Sequence, residues 1–231
     1  MPSTAIVTGA SRGLGLALAR ALSKRDWRLV IDARGAEQLE AARAELGENV
    51  TAVAGDVADE RHRRALVAAA GPRVDLLVNN ASALGPSPLP ALGDYPPAAL
   101  EQVYRVNTLA PLALVQLALP LMPAGARILN VSSDAAVEPY EGWGGYGSSK
   151  AALEQLSRVL GAEHHELRVY AVDPGDMRTR MHQDAFPGED ISDRPPPEES
   201  VPGLLALVEG ELPSGRYAAR ELAAPPAAAT P

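Results

Sequence analysis

A short apolar run, Thr4-Ala5-Ile6-Val7-Thr8, meets three glycines at positions 9, 13 and 15 and then resumes as Leu16-Ala17-Leu18-Ala19-Arg20-Ala21-Leu22, a helix-forming composition. Strand, glycine-rich turn and helix is the order a phosphate cradle requires. Glycines let the backbone approach a pyrophosphate, and the helix N-terminus offers unpaired N–H groups at the positive end of its dipole. The remaining chain repeats the alternation. Strands are predicted at 28–32, 50–54, 75–78, 127–131 and 168–172, with a short last one near 216–218. Helices are predicted around 14–25, 36–46, 59–70, 98–120, 146–164 and 198–209. Such alternation points to βαβ units in one α/β domain, with a doubly wound parallel sheet of about seven strands and helices on both faces. A chain of 231 residues suits one such domain and can bury a substantial core.

Composition narrows the possible partners. There is no cysteine, so disulfides and thiolate chemistry are excluded. A net charge of −8 argues against nucleic acid or an anionic membrane as partner. The first residues, Met1-Pro2-Ser3-Thr4, lack a basic region followed by an apolar stretch, so a cytoplasmic location is expected. The longest apolar stretch, 108–122, contains Pro111, Gln116 and Pro120 and falls short of the roughly 20 residues of a membrane span. It reads as a buried helix. The Pro/Gly-rich stretches 85–97 and 186–197 are too short for domain linkers and are expected to form loops at the mouth of a site. Residues 223–231, small residues and proline, are expected to be a disordered tail beyond a domain spanning 1–222.

The chemistry is expected farther along. Tyr146 and Lys150 are four residues apart at the start of a predicted helix, which stacks phenol and ammonium on one face. A cation beside a phenol should lower its pKa toward neutrality, as a proton donor to a carbonyl oxygen needs. Ser133 lies thirteen residues before the tyrosine (146 − 133 = 13) and closes an apolar run. The Thr8-Gly9-x-x-x-Gly13-x-Gly15 turn, Asn79-Asn80-Ala81, Asn107, Ser133, Tyr146-x-x-x-Lys150 and Pro174-Gly175 together resemble the short-chain dehydrogenase/reductase family, over residues 4 to about 180.

That resemblance implies a Rossmann-like sheet in the order 3-2-1-4-5-6-7, and catalytic roles for Asn107, Ser133, Tyr146 and Lys150. Tyr146 would give its proton to the substrate oxygen as hydride reaches the carbonyl carbon, and Ser133 would hydrogen-bond the same oxygen. Two donors already aimed at developing negative charge stabilise the transition state more than the ground state. Lys150 would depress the tyrosine pKa and bind the nicotinamide ribose, and Asn107 would hold a water linking Lys150 to solvent. Ser132 rivals Ser133, and the thirteen-residue spacing favours Ser133. For the cofactor the resemblance implies Gly9, Ser11, Arg12, Gly13, Leu14 and Gly15 in the turn, with Arg34, Asp56 and Val57 beyond the second and third strands. It adds Asn80, Ala81, Tyr146 and Lys150, and, after the sixth strand, Pro174, Gly175, Met177 and Thr179 at the nicotinamide carboxamide. The lesser alternatives are a turn aspartate for Asp56 and a helix cap for Thr179, while Asn79 is expected to bond between strands.

Cofactor choice turns on Asp32-Ala33-Arg34. An acidic residue there binds the ribose hydroxyl of NAD, whereas arginine accommodates the 2′-phosphate of NADP. The family register puts Ala33 at the aspartate position and Arg34 at the arginine position, with Arg12 as a second cation, so NADP(H) is favoured over NAD(H). The Asp32 carboxylate stands against this, because it would repel the phosphate.

Ser82 replaces the glycine that usually closes Asn-Asn-Ala-Gly, and the short C-terminal region suggests an open pocket. Asp134, Glu138 and Glu141, with Tyr140 and Trp143, could favour a polar or cationic substrate; solvent-facing acids are the plainer alternative. The histidines, adjacent at 164 and 165 and lone at 62 and 182, suggest no metal site. The resemblance implies a homodimer or homotetramer formed through helices 98–120 and 146–164. The expected activity is NADP(H)-dependent interconversion of a small-molecule ketone or aldehyde and its alcohol. A nucleotide-binding regulatory protein, or a redox-neutral lyase or epimerase on the same site, are the alternatives.

Overall fold

The computed structural model describes residues 2–222; the tail expected at 223–231 lies outside the described residues. Seven parallel strands form one sheet in the order β3-β2-β1-β4-β5-β6-β7. They are β1 (Thr4–Val7), β2 (Arg28–Ala33), β3 (Val50–Ala54), β4 (Leu76–Asn79), β5 (Arg127–Val131), β6 (Arg168–Asp173) and β7 (Gly215–Ala218). Helices α1 (Gly13–Ser23), α2 (Ala36–Leu46), α3 (Glu60–Ala70), α4 (Pro97–Tyr104), α5 (Ala110–Ala118), α6 (Gly144–Glu163), α7 (Arg180–Ala185) and α8 (Val201–Glu209) connect them.

Both faces of the sheet are covered, as parallel strands require. Side chains alternate across each strand: Ala5 and Val7 join a cluster with Leu18 of α1, Leu39 of α2 and Leu204 of α8. Ile6, between them, joins Leu66 of α3, Leu114 of α5 and Leu160 of α6 on the opposite face. The order reverses beside β1, whose neighbours are β2 and β4, and ligands of such sheets bind at the carboxyl ends of the strands near that reversal. Arg34, Asp56, Asn80, Ser133 and Pro174 all sit just past the C-terminal end of a strand.

Two departures from the sequence reading shape the site. The helix expected over 98–120 is broken into α4, a π-helical turn at Arg105–Leu109, and α5. Asn107 is in this widened turn, fully buried, and Pro111 removes the N–H that would have closed a helical bond onto the Asn107 carbonyl. The second departure is α7, which hydropathy could not reveal in a six-residue segment as polar as Arg-Met-His-Gln-Asp-Ala.

Candidate functional site

The glycine turn is shaped by what side chains would obstruct. Gly9 has φ +66°, and a Cβ there would come within 2.9 Å of the Ala81 Cα; a Cβ on Gly15 would meet Asn80 Nδ2 and the Gly9 carbonyl at 2.6 Å. Asn80 is drawn in by its own bonds, its Nδ2 donating to the Thr8 carbonyl (2.8 Å) and the Gly9 carbonyl (3.2 Å). The Thr8 hydroxyl accepts from the N–H groups of Asn80 (2.9 Å) and Ala81 (3.0 Å) and donates to the Val78 carbonyl (3.1 Å). β1 and β4 are thereby laced together where a nucleotide would lie. α1 begins at Gly13 after Arg12, with no side chain capping its first turn, and Leu14 and Gly15 are buried behind it. An uncapped helix N-terminus behind a glycine turn suits a phosphate, so these residues fit a dinucleotide. Ser11 is half-buried beside them.

Asp32 is turned away from this cradle. Its Oδ1 accepts from the Gly9 N–H at 2.7 Å and its Oδ2 lies 2.9 Å from Nε2 of His62, which is therefore not the lone histidine of the sequence reading. With 1% exposure, the carboxylate braces the turn instead of facing solvent. Arg12 and Arg34 are both exposed, and among the described residues neither makes a salt bridge. Asp56 accepts from the Ala58 N–H at 2.8 Å, the turn geometry considered above. Val57 is buried with Val106 and Ala110, and Ala81 packs against them.

At the other side of the site, Tyr146 and Lys150 project from the first two turns of α6, 8% and 1% exposed. Lys150 Nζ donates to the Val131 carbonyl at 2.7 Å and lies 5.5 Å from the centroid of the Tyr146 ring. The expected lowering of the tyrosine pKa is not what this arrangement produces. Burial raises the Tyr146 phenol above its ordinary value, hydrogen bonding with Ser82 pulls it back, and the Asp173 and Asp134 charges add to the rise. Burial also lowers Lys150 to about 7. Desolvation disfavours the charged form of each group and is the largest cause of both shifts.

Ser133 Oγ donates to Asp134 Oδ1 at 2.9 Å and also lies beside the phenol. Ser132 is committed elsewhere, donating to Glu154 Oε1 at 2.6 Å, which separates the two rivals. The Asn107 side chain is fully used: Nδ2 donates to the Ala83 carbonyl and Ser149 Oγ, both at 2.9 Å, while Oδ1 accepts from the Ala83 N–H (2.7 Å) and Ser82 Oγ (3.1 Å). The amide has no capacity left for a water, so a water at Asn107 would have to use its backbone carbonyl. What the amide does is clamp 82–83 against α6 and bring Ser82 to the phenol. Ser82 stands where a glycine usually does, and a hydroxyl in that place is the sequence signal for this contact. Asn79 donates to Asn130 Oδ1 at 2.7 Å, between strands as expected.

The 174–179 segment closes the site beside the glycine turn. A Cβ on Gly13 would meet only Thr179 Cγ2, at 3.7 Å. Pro174 is buried, its carbonyl accepting from Ser200 Oγ at 2.7 Å, and Gly175 takes φ +75° while donating its N–H to Asp173 Oδ1 at 2.9 Å. Met177 packs on the core, and the Thr179 hydroxyl caps α7 by accepting from the His182 N–H at 3.3 Å. Beyond it the site is bordered by apolar side chains. Leu84, Ala135, Tyr146 and Ala185 form a buried apolar cluster, with Leu89, Trp143, Met181 and Phe186 packed against it. Ser87 Oγ donates to the Asp184 carbonyl at 2.5 Å, tying the 85–97 loop to α7. Asp134 also accepts from the Tyr140 hydroxyl at 3.0 Å, so its carboxylate organises the loop.

The comparisons agree with this geometry. The family model "short chain dehydrogenase" matches residues 3–190. A serine 3-dehydrogenase of Agrobacterium fabrum (strain C58 / ATCC 33970) is 38% identical over 190 residues, covering 78% of this chain and 74% of that protein. Among solved structures, a Pseudomonas syringae protein assigned to the short chain dehydrogenases superposes with TM-score 0.87 at 29% identity, over 94% of each chain. A Shigella flexneri 2a (strain 301) protein of the same assignment, complexed with NADP, superposes with TM-score 0.87 at 26% identity, over 94% of this chain and 97% of that one. With a family model matched over residues 3–190, a seven-stranded sheet in this order, a glycine turn after β1 and a buried tyrosine and lysine on α6, the chain belongs to the short-chain dehydrogenase family of oxidoreductases.

Proposed function

We propose that the protein is an NADP(H)-dependent oxidoreductase interconverting a ketone or aldehyde and its alcohol. The observation that carries the reading is the buried Tyr146 phenol with the Ser133 and Ser82 hydroxyls beside it and Lys150 one turn on, at the same sheet edge as an uncapped helix N-terminus. The cofactor, when bound, supplies or accepts the hydride. Gly9, Ser11, Arg12, Gly13, Leu14 and Gly15 hold its phosphates, with Asp56, Val57, Asn80 and Ala81 around the adenosine and Pro174, Gly175, Met177 and Thr179 at the nicotinamide. Tyr146 gives its proton to the carbonyl oxygen and Ser133 turns its hydroxyl from Asp134 to the same atom, so both stabilise charge that appears only in the transition state. Lys150, titrating near neutrality, returns a proton toward the phenolate. A water held by the Asn107 backbone carbonyl connects it to solvent.

Support for NADP(H) over NAD(H) comes from Asp32. The carboxylate that would repel a 2′-phosphate is spent on Gly9 and His62, while Arg12 and Arg34 remain exposed. We place the protein in a homodimer or homotetramer formed through the helical segments 98–120 and 146–164, by likeness to the family. No described helix is long and apolar enough to cross a membrane, and we place the protein in the cytoplasm, acting on a small molecule. The wall of Leu89, Trp143, Met181 and Phe186 favours an apolar or aromatic group beside the carbonyl over the cationic substrate considered from the acidic loop. Screening carbonyl compounds and alcohols against NADPH and NADH, followed by absorbance, tests the proposal. Steady NADPH oxidation with an aryl or alkyl ketone is the expected result; cofactor binding without turnover of any member would overturn it.

A further inference from the structure

Behind Ser133 lies a buried ionic cluster that none of these roles uses. Glu154 continues the face of α6 that carries Tyr146 and Lys150, at four-residue steps, and is 2% exposed. Its Oε1 accepts from Ser132 Oγ at 2.6 Å and from Arg216 Nε at 2.9 Å. Arg216 belongs to β7, the edge strand. Its Nη2 lies 3.5 Å from Asp173 Oδ2 and donates to the Ser133 carbonyl at 3.5 Å. Asp173 ends β6 and holds the Gly175 N–H. One guanidinium therefore touches the end of β5, the end of β6 and α6, the elements that carry Ser133, the 174–179 segment and Tyr146.

A carboxylate as buried as Glu154 is costly unless it is paired, and an apolar pair could hold the same elements together with less desolvation. What an apolar pair lacks is direction. The planar guanidinium fork offers donors at fixed angles to several acceptors at once, which neither an ammonium nor a hydrocarbon can do. We propose that Arg216 is a positioning residue for the reaction: by bridging Glu154, Asp173 and the Ser133 carbonyl, it sets the spacing between the Ser133 hydroxyl, the Tyr146 phenol and the 174–179 segment. The proposal rests on the oxidoreductase reading above. Arg216 acts through Ser133 and Asp173, so its loss should fall on turnover more than on cofactor affinity.

The test compares wild type, Arg216→Met, Arg216→Lys and Glu154→Gln by steady-state kinetics, NADPH fluorescence titration and thermal melting. Since a misplacement of about 1 Å can cost roughly 100-fold in rate, Arg216→Met should lower kcat by about 10- to 100-fold while the NADPH Kd changes by less than about 3-fold. Arg216→Lys keeps the charge but loses the fork, and should recover only part of kcat. Glu154→Gln, which keeps the shape and removes the charge, should lower kcat by at least about 3-fold. If Arg216→Met does not fold, the Lys and Gln variants decide. A kcat within about 2-fold of wild type per folded molecule in the variants that fold overturns the proposal, even if melting falls, because that is a structural role alone. A wild type that binds NADPH and turns over no substrate overturns the oxidoreductase reading, and unchanged melting and NADPH binding in all variants would then remove the case for Arg216 as well.

Discussion

The two sides of the site are built by opposite means. On the cofactor side the working surface is backbone: Gly9 and Gly15 leave no room for a Cβ, and the α1 N-terminus is left uncapped. On the substrate side the surface is side chain: Tyr146, Lys150 and Asn107 are buried polar groups, the last two held by partners far away in sequence, and Ser133 is half-buried beside them. The first side is a matter of shape and fixed dipoles and should respond little to pH. The second is a set of titratable groups removed from water, so desolvation governs it. Changes on the first side should appear in cofactor affinity, and changes on the second in turnover and its dependence on pH.

The sharpest way to break this division is Tyr146→Phe. Removing the proton donor should cost about 10²- to 10⁴-fold in kcat, the usual span for a general acid, with NADPH affinity nearly intact; comparable losses in both would show that the sides are not separable. Arg34→Glu comes next, on the cofactor side. If Arg34 meets the 2′-phosphate as proposed, reversing its charge should lower kcat/KM for NADPH by about 10- to 100-fold and narrow the gap to NADH. No change in cofactor ranking would remove Arg34 from the site.

Gly15→Ala probes the backbone surface itself. A methyl forced within 2.6 Å of Asn80 Nδ2 and the Gly9 carbonyl should destabilise the fold by about 1–3 kcal/mol and weaken NADPH binding, measured by melting and titration. Wild-type values for both would mean that the turn adapts.

Lys150→Met has an effect on stability with a definite sign. Burial lowers the folded-state lysine from 10.5 to about 7, so between those values the unfolded chain binds the proton and the folded chain does not. Stability then rises with pH across that window, and below it the buried ammonium is a full liability. Relative to wild type, Lys150→Met should therefore melt higher at pH 6 than it does at pH 10, the difference shrinking as pH rises, while turnover is lost at both. A difference independent of pH would mean the ammonium is better solvated than its burial implies.

How far the sequence could be read follows the same division. The strands, their alternation and the glycine turn were legible because they depend on local chemistry: β3, β5 and α2 lie where the sequence reading put them. Spacing favoured Ser133 over Ser132 as the site serine; that the Ser132 hydroxyl donates to Glu154 was not legible. The break in the 98–120 helix was not legible. Its signals, Asn107 and Pro111, acquire meaning only when Ala83 and Ser149 are present to receive the asparagine amide. Asp32 shows the same limit. From sequence it could face a ribose or oppose a phosphate, and a contact with His62, thirty residues away, turns it inward instead.

Taken alone, the sequence determined the doubly wound sheet and the residue types that can hold a nucleotide and move a proton, because periodicity, glycine and the tyrosine–lysine spacing act over a few residues. The tertiary structure decided their electrostatic state: that Tyr146 is raised, that Lys150 is lowered to about 7, and that Asp32, Asn107 and Glu154 spend their polar atoms on distant partners. The reason is physical. A side chain carries its charge and its hydrogen-bonding capacity in the sequence, but the cost of removing it from water, and the partners that offset that cost, exist only once the chain has closed around it.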